Sequence, residues 1–212
     1  MVARQIQTPW PESVLLAVAV FLLLYLAYSP QLPNVTVNKI HALQAGLFLS
    51  LAFLIGSLSR FWPNVFDRFK PYRRTLGVLG VLSAASHVFM VYVPLGLNPS
   101  GWPLVFGAAA FVGFLAMAAT SNRTSVRQLG YPLWKRFHTL GYFALAAALA
   151  HFVLVEFKDG VFNPAWLEIS VMALTALALA FRLAAFLAGS PMRRSYEEHF
   201  EPQVRHKPLF GW

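Results

Sequence analysis

Phe137-His-Thr-Leu-Gly-Tyr-Phe-Ala-Leu-Ala-Ala-Ala-Leu-Ala-His-Phe-Val-Leu-Val-Glu-Phe157 contains one carboxylate and no lysine or arginine. At about 1.5 Å per residue this run makes a helix of roughly 30 Å, the thickness of a bilayer's hydrocarbon core. The fold class follows from it: a helix this long and this apolar belongs in a membrane. Two histidines, His138 and His151, interrupt the apolar pattern. Imidazole is costly to bury without a partner, so each needs a reason.

The rest of the chain repeats the pattern. Of its 212 residues 58% are hydrophobic and 12% charged, where a soluble domain carries about 25% charged residues. Six stretches are long and apolar enough to span, near 12–29, 40–59, 75–97, 101–120, 137–157 and 164–187. The expectation is an all-α polytopic membrane protein with six transmembrane helices. Residues 1–11 would form a cytoplasmic N-terminus, 12–190 the six-helix domain and 191–212 a cytoplasmic tail. Trp10, Trp62, Trp102, Trp134 and Trp166 flank spans, as an interfacial aromatic belt requires. The first span has only Arg4 before it and no A-x-A site after it, so it reads as a span and not a signal peptide. There is no cysteine. That excludes disulfides, thiolate metal sites, cysteine-ligated iron–sulfur clusters and haem attached through C-x-x-C-H.

The net charge of +9 is topological. Arg60, Arg68, Lys70, Arg73 and Arg74 follow span 2, and Arg123, Arg127, Lys135 and Arg136 follow span 4. Arg4, Arg193, Arg194, Arg205 and Lys207 lie in the tails. A six-span chain puts all fourteen on one side, against Lys39 and Lys158 on the other. The positive-inside rule makes that side, and both termini, cytoplasmic. The surplus calls for no nucleic acid; anionic membrane lipid or an acidic partner is the secondary use. Within it, Ser121–Gly130 reads either as a short interfacial helix ended by Gly130 and Pro132 or as a solvated basic loop.

Span 3 echoes span 5. Arg74-Thr-Leu-Gly77 aligns with His138-Thr-Leu-Gly141, and without gaps His87 then meets His151; six of nineteen positions are identical. Residues three, four and seven before a histidine share its helical face. For His87 these are Ala84, Ser83 and Gly80, and for His151 they are Ala148, Ala147 and Ala144. Both spans run the same way, so the two histidines should lie at one depth above matched strips of small residues. A flat ligand held between two imidazoles, such as a porphyrin, suits that arrangement. Close helix packing explains small residues equally simply, and a lone intramembrane histidine also serves as a hydrogen bonder or proton relay.

His138 differs. It lies thirteen residues, about 20 Å, before His151 and about 140° around the helix, and its counterpart in the echo is Arg74. It reads as an interfacial histidine near the cytoplasmic surface, with a second haem as the sharper alternative. His41 reads as a helix-end histidine, Glu156 as an outer-interface carboxylate able to carry protons for a quinol, and Arg182 as a snorkelling cation or a propionate partner.

The block Thr120-Ser-Asn-Arg…Leu129-Gly130…Leu133-Trp-Lys-Arg-Phe-His138…Tyr142…His151, with Arg73-Arg-Thr-Leu-Gly77…His87, resembles the ferric reductase-like transmembrane domain family over roughly residues 40–190. Within that family it is similar to the MsrQ/YedZ-like branch, haem b membrane subunits that pass electrons to a periplasmic methionine sulfoxide reductase. The resemblance implies haem b with His87 and His151 as axial iron ligands. Gly80, Ala84, Ala144 and Ala148 would stand at the ring edge, with His138 as a third cofactor-site histidine. It implies a bacterial inner-membrane location, and a cytoplasmic flavin reductase or the quinol pool as donor, with FMN or quinone as further cofactors. The full ferric reductases carry a second histidine where this chain has Arg74, so one haem is expected, with two left open through His138. They also carry a cytoplasmic flavin domain, for which the residues after span 6 are too few.

The function expected is transmembrane electron transfer to a periplasmic oxidoreductase subunit, by a haem subunit and not a complete enzyme. The alternatives are a structural subunit of a larger membrane complex, and a metal transporter lined by His87, His151 and either His41 or Met90. Against the transporter, the spans hold almost no carboxylates and no evident broken helices.

Overall fold

The structure is a computed structural model and describes residues 10–28, 33–97, 99–158, 161–162 and 164–188. The expected tail 191–212 and the charges Arg4, Arg193, Arg194, Arg205 and Lys207 lie outside the described residues. In chain order the helices are α1 (Trp10–Tyr28), α2 (Pro33–Phe61), α3 (Pro63–Phe66), α4 (Tyr72–Tyr92), α5 (Gly101–Thr120), α6 (Arg123–Leu129), α7 (Tyr131–Thr139), α8 (Gly141–Glu156) and α9 (Trp166–Leu187). A 3-10 turn, Asp67–Phe69, follows α3. Besides the helices and the turns and short segments that join them, the described residues hold two two-residue strands, β1 (Phe157–Lys158) and β2 (Val161–Phe162), paired antiparallel.

Five helices are long and apolar enough to cross a membrane: Thr36–Phe61, Tyr72–Tyr92, Gly101–Thr120, Tyr131–Glu156 and Trp166–Leu187. The protein is therefore a multi-pass membrane protein. The first of the six expected spans is the helix α1, whose described apolar stretch, Val14–Leu26, is shorter. It packs on α2 and α4.

Helix α2 is the centre. Two-thirds of its span is buried inside the bundle, against 28% or less of each other span. It packs on α1, α4, α8 and α9. Its position explains its polar residues. Thr36, Gln44, Ser50, Ser57 and Ser59 are all buried there, where neighbouring helices rather than lipid surround them. Ser50 Oγ meets Thr175 Oγ1 of α9 at 2.8 Å. Gln44 Nε2 donates to Ala17 O of α1 at 2.7 Å, and Ser83 Oγ of α4 donates to Gln44 Oε1 at 3.1 Å. Large apolar side chains elsewhere, such as Leu23, Phe143 and Phe186, point outward as a lipid-facing surface requires. Trp62, Trp102 and Trp166 are exposed at helix ends.

The basic segment after span 4 forms helix α6, capped by Asn122, whose Oδ1 accepts from Ser125 N at 2.8 Å. Gly130 ends it with φ +71, a conformation that favours glycine. The long run quoted at the outset is not one uninterrupted helix. At Leu140 the backbone tightens: Leu140 N bonds Phe137 O at 3.0 Å, three residues back rather than four. Gly141 follows, buried where any side chain would collide with Met117 of α5 and Phe53 of α2. The missing side chain lets α8 approach both helices.

Candidate functional site

His87 and His151 each stand five residues before the end of their helices, 87 to 92 in α4 and 151 to 156 in α8. Their rings meet with centroids 6.3 Å apart and planes inclined by 67°. Helices α4 and α8 themselves have little direct contact. Helix α4 lies along α2, and α8 lies along α5 and α9.

Each ring is anchored from behind. His151 Nδ1 lies 2.8 Å from Pro103 O near the start of α5. His87 Nδ1 lies 3.4 Å from Asn38 O near the start of α2. A carbonyl oxygen can only accept, so each contact is a hydrogen bond in the tautomer that protonates Nδ1, the form that leaves the Nε2 lone pair to a metal. This is the arrangement of a metal-ligating histidine, whose outer nitrogen is turned by a backbone carbonyl. Two metal–imidazole bonds of about 2 Å, plus roughly 1 Å from each nitrogen to its ring centre, separate opposed axial rings by about 6 Å. The observed centroid spacing is of the size that two imidazoles on one metal would have.

The small residues of the echo divide. Gly80 is buried, and a Cβ there would stand 2.7 Å from Leu49 Cγ of α2. Ser83 is bonded to Gln44 of α2. These two belong to the seam between α2 and α4. Ala144 is also buried, its Cβ facing Gly113 of α5. Ala84 and Ala148 are half-buried, and Ala148 packs against the central apolar cluster around Leu49 and Leu145.

His138 sits elsewhere, at the end of α7. Its Nε2 lies 3.2 Å from Thr120 Oγ1. That hydroxyl donates to Ala116 O at 2.9 Å, so it accepts from His138. The ring also packs on Trp134 at 4.1 Å, and Trp134 Nε1 donates to Thr120 O at 2.9 Å. His138 lines a cavity of about 930 Å³ with Arg60, Arg73, Arg74, Arg127, Arg182, Lys70 and Lys135. None of the described lining residues is acidic. Arg73 Nε donates to Ala52 O at 3.0 Å, and its guanidinium occupies the space Gly56 leaves open. Arg182 lies over the Tyr142 ring at 4.8 Å.

At the other end of the bundle Lys39 bridges two carboxylates. It pairs with Glu156 of α8 at 3.6 Å and with Glu168 of α9. Glu168 is 1% exposed and also accepts from Ala165 N, capping α9. His41 packs on Phe21 of α1, and Met90 appears in no described contact with the pair. Among the described residues no three His, Asp or Glu side chains gather as a metal cluster.

Sequence reasoning did not find the carbonyls of Asn38 and Pro103, because a backbone atom leaves no residue signature. It also passed over Gly107, although a glycine within an apolar helix signals close approach. A Cβ at Gly107 would lie 2.8 Å from His151 Nδ1.

The family model for the ferric reductase like transmembrane component matches residues 41–150, just over half of the chain. The chain belongs to this family. The match takes in His87 and His138 and stops one residue before His151. Curated relatives carry the name protein-methionine-sulfoxide reductase heme-binding subunit MsrQ. The one from Brucella anthropi is 35% identical over 96 residues, 41% of this chain and 43% of the relative. Those from Brucella ovis and Brucella melitensis are 34% identical over 123 residues, 53% of each chain. The chain thus spans about half the length of the curated relatives it matches.

Proposed function

We propose that this protein is a transmembrane electron carrier that holds one haem b between His87 and His151. The observation that carries the reading is the facing pair of imidazoles, each with its Nδ1 turned to a backbone carbonyl and its Nε2 free. Haem supplies one-electron chemistry through its iron, at a potential tuned by the axial ligands and their hydrogen bonds. The chain's residues do the rest. Asn38 O and Pro103 O select the tautomer, α2 and α5 hold the rings apart, and the apolar helices keep water away.

The membrane arrangement proposed is six spans, with α1 as the first and both termini in the cytoplasm of a bacterial cell, in its inner membrane. The sign of the loops supports it. The membrane domain then covers residues 12–190, with 1–11 and 191–212 as cytoplasmic extensions. His87 and His151 lie toward the periplasmic face. Electrons leave there to a periplasmic oxidoreductase, of the methionine sulfoxide reductase type that the relatives' name indicates. They arrive from a cytoplasmic flavin reductase or the quinol pool. The basic cavity around His138 opens among the cytoplasmic loops and suits an anionic donor group such as the phosphate of FMN.

The test is an optical spectrum of the purified full-length protein with pyridine haemochrome stoichiometry. One haem per chain is expected, with a Soret band and sharp α and β bands on reduction. Absence of a Soret band, or full haem retention in a His87→Ala, His151→Ala double variant, overturns the reading.

A further inference from the structure

Helix α5 approaches the His151 imidazole at one point. The Pro103 carbonyl is due the intrahelical bond from the N–H of residue 107, four residues on. The same oxygen lies 2.8 Å from His151 Nδ1. The ring therefore comes down onto the helix surface beside residue 107. Helical Cβ atoms tilt toward the N-terminus, so any side chain at 107 would project into the place the ring occupies. A Cβ there would stand 2.8 Å from Nδ1, 3.0 Å from Cε1 and 3.3 Å from Cγ of His151. Three ring atoms would be crowded at once.

We infer that Gly107 is a positioning residue for His151: by carrying no side chain it lets the imidazole reach Pro103 O, and so sets the strength of the tighter of the two axial anchors. This rests on the axial-ligand reading of the pair. The anchors are unequal, 2.8 Å for His151 against 3.4 Å for His87. A strong Nδ1–H···O bond makes Nε2 a better donor to a metal. An alanine at 107 forces the ring back from the helix and stretches that bond. With haem bound, the weaker donation from His151 would favour the reduced state and raise the midpoint potential.

Gly113 provides the control. It lies on the same helix, and a Cβ there would stand 2.9 Å from Ala144 Cβ, a contact between α5 and α8 that does not touch the ring. Gly107→Ala and Gly113→Ala are compared in the full-length protein for haem content, haem dissociation, midpoint potential and the low-spin spectrum. Gly107→Ala is expected to weaken haem binding roughly tenfold or more, to raise the potential and to shift the low-spin signal, with helical content retained. Gly113→Ala leaves potential and spectrum unchanged. Equal effects of the two substitutions, or no effect of Gly107→Ala in a protein that holds haem, overturn this inference alone. Unsubstituted protein without haem overturns the axial-ligand reading as well. A second measurement needs no variant. In the unsubstituted haem protein the Nδ1 proton of His151 should exchange with deuterium more slowly than that of His87, and equal rates overturn the inference.

Discussion

His87 and His151 stand ring to ring at 6.3 Å, yet each takes its orientation from a different neighbouring helix, His87 from Asn38 of α2 and His151 from Pro103 of α5. The two helices that carry the histidines hardly touch. The pair is thus built like a clamp whose jaws are braced from outside.

Single substitutions at the pair should separate from one at His138. His87→Ala and His151→Ala each remove the haem or convert it to a five-coordinate form. His138→Ala, which breaks the bond to Thr120 and the packing on Trp134 and Phe137, leaves the spectrum of that haem unchanged. Absorption and pyridine haemochrome content read all three.

The cavity at the arginine-rich end should govern how electrons arrive, not whether haem binds. Arg74 is exposed and lines the cavity, so Arg74→Glu is expected to fold normally. It should slow reduction by an anionic cytoplasmic donor, more at low salt than at high salt because screening weakens the interaction. Stopped-flow reduction at two ionic strengths checks this, and haem content should not change.

Glu168 should be the most sensitive carboxylate in the fold. It is buried, pairs with Lys39 and caps α9 through Ala165 N. Glu168→Ala removes both roles and should cost about 1.5–3 kcal/mol, the range for hydrogen bonds to charged groups. Glu168→Gln retains an acceptor for Ala165 N, and Lys39 keeps Glu156, so its loss should be smaller. Thermal unfolding in detergent ranks the two.

Packing and hydrogen bonding can be weighed against each other in the core. Gly141→Leu drives a side chain into Met117 and Phe53 and should cost about 1–3 kcal/mol by overpacking. Thr175→Val removes the bond to Ser50, and interhelical bonds in membranes average about 0.6 kcal/mol. The glycine variant should therefore be clearly the less stable in thermal unfolding, with the threonine variant close to the unsubstituted protein.

Much of the fold was legible because membrane helices obey local rules. Span length, the sign of the loops and tryptophans at helix ends follow from residues within one segment and its flanks. The echo between spans 3 and 5 worked for the same reason: distance along a helix is counted in residues, so equal spacing from equal starts set His87 and His151 at one level. The end of the helical turn at Arg123–Leu129 was legible in Gly130 and Pro132, whereas the structure chose helix over loop and showed the Asn122 cap that starts it.

Rotation about the helix axis was the weaker part. Gly80 and Ser83 share the His87 face by periodicity, but α2 lies along that side of α4, and the small residues serve its approach. Five of six expected spans are helices that meet the length and hydropathy of a crossing, while α1 has a shorter described apolar stretch. The tightened turn at Leu140 left no mark in an evenly apolar run.

The sequence by itself determined that this chain is a bundle of membrane helices, which end is basic, and that two histidines share a depth. These depend on composition and on spacing along one helix. Only the tertiary structure decided that the two rings meet, that their Nδ1 atoms lie against the carbonyls of Asn38 and Pro103, and that Gly107 must be bare to let one ring in. Those relations run between helices distant in sequence. Two of them end on backbone oxygen atoms, which every residue carries and no sequence pattern distinguishes.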